Sequence, residues 1–137
     1  MTDAGYGGRQ EWIAKTEDKA SLDQSLNMAI DGSVWTSQIS NLKSQISKYT
    51  RGVKDNFEIS GLDHDMGEGA VIYTDEDTLK LYVLDKVNKR VVVLAKTGEY
   101  EGQYTAEQLG EGKDLAVDEK TGKIYVTSGS KIWMIKT

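Results

Sequence analysis

The most polar cluster of the sequence surrounds its only histidine, His64. Asp63, Asp65 and Glu68 lie within four residues of it, and carboxylate and imidazole groups are common ligands of divalent metals. Adjacent residues of an extended segment point to opposite sides, however, so these groups would not converge on one ion. Glycine, aspartate and histidine are also ordinary residues of connecting loops. We therefore favour a loop over a metal site for residues 61–69 and predict no metal or other cofactor.

Three aspartates and three aromatic residues recur at nearly equal intervals and are the weaker candidates for a binding site. Each aspartate ends an apolar segment, and each aromatic residue lies in the apolar segment that follows. These residues are Asp31, Asp75 and Asp118, with Trp35, Tyr82 and Tyr125. In a ring of repeats, the aspartates would lie near the axis and the aromatic rings could stack on sugars or peptides. Turn formation by the aspartates and core packing by the aromatic residues are favoured.

The remaining motifs do not indicate an enzyme. A serine–histidine–aspartate site would have to use His64, and the sequence has no Gly-x-Ser-x-Gly element. The acidic segment 75–77 lacks the glycine and final glutamate of a calcium loop, and residues 5–8 lack the lysine of a phosphate-binding loop. A pair of catalytic carboxylates facing each other across a ring stays open, because the sequence does not reveal such distances. We predict a protein without enzymatic activity.

Composition limits the partners of the chain. Its 137 residues are 38% hydrophobic and 28% charged, with 14 glycines and neither proline nor cysteine, which fits one domain with its own core. The net charge of −5 is unfavourable for contact with phosphate backbones, so nucleic acid is not an expected partner. No apolar run approaches the ~18 residues of a membrane span, and the first eight residues lack a signal-peptide core. We expect a soluble chain without membrane contact, and the compartment stays open.

A repeat of about 43 residues organises the chain from residue 26 onward. In each copy the aspartate closes a first strand, the aromatic residue lies in a second strand, and a third apolar segment follows. The third segments are 45–49, 90–94 and 131–135. Gly98 and Gly122 fall in polar turns, where a tight hairpin requires positive φ. Fourth strands are predicted at 56–59 and 100–104. Four strands in such a period match one propeller blade.

Residues 37–49 allow two interpretations. Their apolar residues follow the 3-4-3 spacing of a helix: Ile39, Leu42, Ile46 and Tyr49. The repeat predicts instead a hairpin with a loop at 39–43, and we favour the hairpin.

Three segments carry a resemblance to a known family: Asp-Gly-Ser-Val-Trp at 31–35, Asp-Glu-Asp-Thr-Leu-Lys-Leu-Tyr-Val-Leu-Asp at 75–85 and Asn-Lys-Arg-Val-Val-Val-Leu at 88–94. With them the chain resembles six-bladed β-propellers of the TolB-like and NHL-like kind. More narrowly, it is similar to the propeller-like C-terminal region of large bacterial PPM-type phosphatase-like proteins. The resemblance covers about residues 26–137 and implies a propeller fold and an interaction role. It does not imply phosphatase activity, because the metal-binding aspartate motif of those enzymes is missing.

Such propellers have six blades, whereas this chain holds about three. We predict an all-β fold, with blades of four antiparallel strands and half a propeller per chain. The expected divisions are a flexible N-terminus at 1–8, an outer strand at 9–15, blades at about 26–60 and 69–105, and three inner strands at 114–137. The outer strand would complete the last blade of a second copy and so protect its edge. The expected interface residues are Trp12, Ile13, Ile132, Trp133, Met134 and Ile135.

The function predicted from these observations is a non-enzymatic propeller scaffold. Two chains would form one six-bladed homodimeric ring that presents a surface to a protein or a glycan. One alternative is a ligand-binding, metal-binding or hydrolytic propeller with a polar site at the ring axis. A monomeric open stack and a truncated or engineered half-propeller that pairs in trans are further alternatives.

Overall fold

Eleven strands form three antiparallel sheets in the computed structural model, which describes residues 25–40 and 43–137. Sheet 1 contains β1 (Ser25–Ile30), β2 (Val34–Ser40), β3 (Lys43–Thr50) and β4 (Val53–Lys54). Sheet 2 contains β5 (Val71–Tyr73), β6 (Lys80–Asp85), β7 (Arg90–Ala95) and β8 (Tyr100–Thr105). Sheet 3 contains β9 (Asp114–Asp118), β10 (Lys123–Ser128) and β11 (Lys131–Lys136), after a short 3-10 helix at Glu107–Glu111. The predicted all-β class is confirmed.

The three sheets share one register, so the sequence repeat is also a structural repeat. In each sheet, the recurrent aromatic residue pairs with the residue two positions before the recurrent aspartate. These pairs are Ala29 with Trp35, Tyr73 with Tyr82, and Ala116 with Tyr125. The same rule extends to the third strands, where the partners of the aromatic residues are Lys48, Val93 and Met134. Residues around these positions in the first three strands of one sheet therefore have defined counterparts in the other two.

Residues 37–49 form the predicted hairpin rather than a helix. Pairing between β2 and β3 runs without interruption from Val34 with Tyr49 to Ser40 with Lys43. The predicted loop at 39–43 is too long, because paired strands already include three of its five residues. The helical spacing arises because both faces of β3 are buried: Ile46 and Tyr49 have little exposure but point to opposite sides.

The fourth strand of the first repeat was predicted at 56–59 and is found at Val53–Lys54. Arg51 and Gly52 both have positive φ and reverse the chain at once, so Thr50 pairs with Val53. Residues 56–59 instead belong to the linker to sheet 2. This linker passes the β7–β8 turn, where the N–H of Ser60 donates to the carbonyl oxygen of Gly98 at 3.0 Å. Docking against a turn accounts for its strand-like composition.

The sheets stack face to face in chain order, with sheet 2 between the other two. We call the side of a sheet that is turned toward the next sheet its forward face, and the opposite side its rear face. One core joins the forward face of sheet 1 to the rear face of sheet 2: Ala29, Trp35 and Ile46 with Ile72, Leu81, Val83, Val92 and Leu94. A second core joins sheets 2 and 3: Tyr82, Leu84 and Val91 with Leu115, Val117, Ile124 and Val126.

The described residues form an open stack and do not close into a ring. The forward face of sheet 3 and the rear face of sheet 1 therefore have no neighbouring sheet among these residues. The predicted N-terminal segment at 1–8, the outer strand at 9–15, Trp12 and Ile13 lie outside the described residues.

Candidate functional site

Each recurrent aspartate lies at the turn after the first strand of its sheet: Asp31, Asp75 and Asp118. The first of them, Asp31, accepts hydrogen bonds at Oδ1 from the N–H of Ser33 at 3.1 Å and from Trp35 Nε1 at 2.8 Å. Its Oδ2 accepts from Lys96 Nζ of sheet 2 at 2.6 Å. Burial raises the pKa of Asp31, but the bonds from Lys96 and Trp35 outweigh this effect and hold the pKa below its ordinary value.

Asp75 closes the equivalent turn of sheet 2. Its Oδ1 accepts from Thr78 Oγ1 at 2.6 Å and from the N–H of Asp77 at 3.0 Å, while its Oδ2 accepts from the hydroxyl of Tyr73 at 2.7 Å. The last bond is the main reason that the pKa of Tyr73 is raised to about 12. Lys96 also donates to the carbonyl oxygen of Asp75 at 3.2 Å, so one ammonium group joins the turns of sheets 1 and 2.

Glu119 makes the corresponding connection between sheets 3 and 2. It accepts hydrogen bonds from the N–H of Leu79 at 2.7 Å, the N–H of Lys80 at 3.2 Å and the hydroxyl of Tyr82 at 2.8 Å. Burial of the phenol and its bond to Glu119 raise the pKa of Tyr82. Charged side chains thus link neighbouring sheets along the edge of the stack where the first strand of each sheet turns into the second.

Asp118 differs from its two counterparts because its described contacts are local. Its Oδ1 accepts from the N–H groups of Lys120 and Thr121 at 3.1 and 3.4 Å. Together with Asp75 and Glu119 it lines a cleft of about 190 Å³. Within residues 25–40 and 43–137, no three histidine or carboxylate side chains are grouped to hold a metal ion. The three aspartates make the contacts of turn residues.

At the opposite edge of the stack, where the second strand of each sheet turns into the third, a buried arginine organises the loop around His64. Sequence reasoning did not single out this residue, Arg90. The guanidinium of Arg90 donates through Nε to Asp85 at 2.9 Å, and both side chains are almost fully buried. Its other nitrogens reach Asp63 at 2.9 Å, Gln103 at 3.0 Å and the carbonyl oxygen of His64 at 3.0 Å. The burial of Arg90 could not be predicted from the sequence, because its partners come from three separate segments of the chain.

The polar cluster at 61–69 is a connecting loop between sheets 1 and 2 whose charged groups pair with the protein's own cations. Asp63 contacts both Arg90 and His64 Nδ1, the latter at 3.0 Å. Asp65 pairs with Lys43 at 2.7 Å, which lowers the pKa of that carboxyl group. Glu68 is exposed. The candidate ligands are therefore not brought together around one point.

The three recurrent aromatic residues occupy equivalent positions but differ in accessibility. Trp35 is fully buried and meets Phe57 edge to face, with ring centroids 5.0 Å apart, while Lys48 Nζ lies 4.9 Å from the Trp35 ring centroid. Tyr82 is buried between sheets 2 and 3. Tyr125 is half-buried on the forward face of sheet 3. Of the three, Tyr125 alone is positioned to meet a ligand or partner.

The two outer faces of the stack carry most of the large exposed apolar side chains of the described residues. On the forward faces, Ile46 and Val91 are 7% and 0% exposed, whereas their counterpart in sheet 3, Ile132, is 71% exposed. Its neighbour Met134 is 51% exposed.

The rear faces repeat the same contrast. Ile72 and Leu115 are each 4% exposed, and their counterpart in sheet 1, Met28, is 61% exposed. Ile30, two residues further along β1, is 58% exposed. On the rear face of sheet 1, exposure is confined to these residues of the first strand, because Thr36, Gln38, Ser47 and Tyr49 on the same face are buried.

The predicted interface residues of β11 divide between its two faces. Ile132 and Met134 point forward and are exposed. Trp133 and Ile135 alternate with them on the rear face, and Ile135 packs against the second core. The forward face of sheet 3 also contains a shallow, mainly apolar depression of about 280 Å³. It is lined by Asp114, Leu115, Ala116, Tyr125, Thr127 and Ile132.

No protein-family model matches the chain, and no curated protein is significantly similar to it. Among the described residues, there is no helix with the length and apolar character needed to cross a membrane.

Proposed function

We propose that the protein is a self-associating, non-enzymatic β-propeller scaffold. Two chains would close one six-sheet ring, and the ring would present its faces to a protein or a glycan. The observation that carries the proposal is the contrast between equivalent positions: Val91 is fully buried, whereas Ile132 is largely exposed. Exposed apolar patches of this kind mark interaction surfaces in folded proteins.

The two outer faces carry apolar counterparts of residues that pack together at the internal junctions. At both internal junctions, a forward face packs against the rear face of the next sheet. The forward face of sheet 3 offers the depression beside Tyr125, and the rear face of sheet 1 offers Met28 and Ile30. Met28 is the counterpart of Ile72 and Leu115, which fill the equivalent positions inside the stack. In the proposed ring, a second copy would contact the exposed first strand of sheet 1 and the forward face of sheet 3.

The linkers between the sheets contribute apolar side chains to both internal junctions. At the first internal junction, Phe57, Ile59 and Leu62 of the linker pack against the core that contains Ile46. At the second, Ala106 and Leu109 pack against the core that contains Val91. Residues 9–15, which include Trp12 and Ile13, precede sheet 1 as these linkers precede sheets 2 and 3. In the proposed ring, this segment would be the outer strand that completes the last sheet of the second chain.

The number of sheets determines the number of chains. Propellers close with four to eight blades, so three sheets do not form a ring and six do. A head-to-tail contact that does not close would continue into a fibre, whereas two copies related by a two-fold axis make two identical junctions and stop. A closed homodimer of two three-sheet chains is therefore the proposed assembly.

The solution mass tests the proposal. Light scattering coupled to size-exclusion chromatography should give twice the 15.2 kDa of one chain. Ile132→Lys places a charge on the free forward face and should give the mass of one chain. Leu79→Lys is the matched control, because Leu79 is 79% exposed but lies in the β5–β6 turn away from both free faces. It should leave the dimer intact.

Circular dichroism of both variants checks that the strands are retained. A wild-type chain that stays monomeric at every concentration, or an Ile132→Lys variant with unchanged mass, would contradict the proposed ring. The binding role is tested separately by applying the wild-type dimer to a glycan array, with the Ile132→Lys monomer as control. A glycan that requires the ring should bind the dimer and not the monomer.

A further inference from the structure

One salt bridge crosses between neighbouring sheets in a way that the proposed ring would repeat. Lys96, the first residue after the third strand of sheet 2, reaches back to Asp31, the first residue after the first strand of sheet 1. The Nζ to Oδ2 distance is 2.6 Å, and both side chains are largely shielded from solvent. The contact therefore joins the turn after the first strand of one sheet to the end of the third strand of the next sheet.

The shared register identifies the counterparts of this pair. Asp118 corresponds to Asp31, because each follows the register partner of a recurrent aromatic residue by two positions. Tyr49 and Leu94 occupy the same register position in sheets 1 and 2. Arg51 follows Tyr49 by two residues and Lys96 follows Leu94 by two residues, so Arg51 corresponds to Lys96. The equivalent pair thus retains its charges, with arginine in place of lysine.

Both counterparts are available for a partner. Arg51 is exposed and forms no ion pair within the part of the chain that the structure describes. Asp118 is exposed, and its described hydrogen bonds use Oδ1 alone. Within one chain the two residues belong to sheets 1 and 3, which sheet 2 separates.

We infer that Arg51 of one chain pairs with Asp118 of the other and sets the register of the inter-chain junction. The inference rests on the proposed self-association. In that ring, sheet 3 of one chain precedes sheet 1 of the second chain, so Arg51 and Asp118 hold the same places in the order of the sheets as Lys96 and Asp31, with Arg51 in a tighter turn at positive φ. The pair occurs twice in the closed ring, once at each junction related by the two-fold axis.

The other charged connection between sheets has no equivalent at this junction. Glu119 links sheet 3 back to sheet 2 through Tyr82 and two backbone N–H groups. Its counterpart in sheet 1 is Gly32, which follows Asp31 and has no side chain. Arg51 and Asp118 are therefore the charged groups that would align the two chains at their junction.

Charge reversal tests the pair. Arg51→Glu and Asp118→Arg each place like charges opposite each other at both junctions, and each should raise the dimer dissociation constant about tenfold or more in sedimentation experiments at low salt. High salt should reduce the effect, since ions screen exposed charges. The double variant exchanges the two charges and should return the dissociation constant to within about threefold of wild type.

Lys54→Glu is the matched control. It makes the same change of charge three residues from Arg51, on an exposed position of β4, and should change the dissociation constant less than Arg51→Glu does. If the wild-type chain does not dimerise, the proposed function fails. If it dimerises but the double variant shows no rescue, the Arg51–Asp118 pair alone is overturned.

Discussion

Sheets 2 and 3 share one repeat and one register, yet they differ in what surrounds them. Sheet 2 has a neighbouring sheet on each face, and its third strand contains Val91, Val92 and Leu94 without exposure. The third strand of sheet 3 contains Ile132 and Met134, which are mostly exposed. Each strand contains four consecutive large apolar residues, 91–94 and 132–135. Position in the stack, rather than residue type, decides which apolar side chains are buried.

A second difference lies in the turn between the second and third strands. In sheet 2 this turn is closed by Asp85 and Arg90, a buried ion pair that also holds the loop at 63–65. The counterparts in sheet 3 are Ser128 and Lys131, and Lys131 is exposed. The inner sheet thus has an anchor for a linker at a position where the outer sheet presents a solvated side chain.

The largest effect is expected from removal of that anchor. Arg90→Gln should lower the free energy of unfolding by about 3–5 kcal/mol, because it leaves the carboxylate of Asp85 buried without its cation. The equivalent Lys131→Gln should change it by less than about 0.5 kcal/mol. Urea denaturation followed by tryptophan fluorescence measures both.

The double variant Asp85→Asn with Arg90→Gln is the control for this prediction. It removes both charges, so it should be more stable than Arg90→Gln alone. Equal losses from Arg90→Gln and Lys131→Gln would mean that the two turns contribute alike, and the contrast between inner and outer sheets would not extend to these positions.

An intermediate effect is expected at the recurrent aromatic position. Tyr82→Phe removes a hydrogen bond to the carboxylate of Glu119 and should cost about 1–2 kcal/mol, since Glu119 keeps two backbone partners. Tyr125→Phe should cost less than about 0.5 kcal/mol, because the hydroxyl of Tyr125 has no hydrogen bond within the described residues. Thermal unfolding of the two variants at equal concentration compares them. A larger loss from Tyr125→Phe would reverse the expected order.

The main features of the fold could be predicted because they depend on local patterns. The spacing from each aspartate to the following aromatic residue predicts a hairpin, and the structure has that hairpin three times with one register. Gly98 and Gly122 have φ of 109° and 68°, as the turn chemistry requires. Strand β4 was misplaced because the pair Arg51–Gly52 reverses the chain without a typical turn sequence.

The candidate site was less predictable, because its contacts join distant segments. Nothing near Arg90 in the sequence indicates that Asp63 and Gln103 will surround it. Lys96 and Asp31 are 65 residues apart and meet only because sheets 1 and 2 stack. The candidates Asp31, Asp75 and Asp118 were correctly located at turns, but the contacts of Asp31 and Asp75 with Lys96 follow from packing between sheets that no local pattern encodes.

The smallest effect, and the most specific, concerns the charge that joins sheets 1 and 2. Because hydrogen bonds from Lys96 and Trp35 hold the pKa of Asp31 below its ordinary value of 3.8, the unfolded chain binds a proton first as the pH falls. This contribution to stability is complete above about pH 4 and is lost as the pH falls through the folded-state pKa. Asp31→Asn should therefore cost about 1 kcal/mol near pH 7 and approach wild-type stability in acid.

Lys96→Met removes the other member of the pair and provides the comparison for Asp31→Asn. It should reduce stability by a similar amount near pH 7, and the double variant should lose little more than either single variant. Urea denaturation at several pH values measures the series. If the deficit of Asp31→Asn were the same in acid as at neutral pH, the charged form of Asp31 would not be the source of the stabilisation, and the predicted contribution of the charge link between sheets 1 and 2 would be wrong.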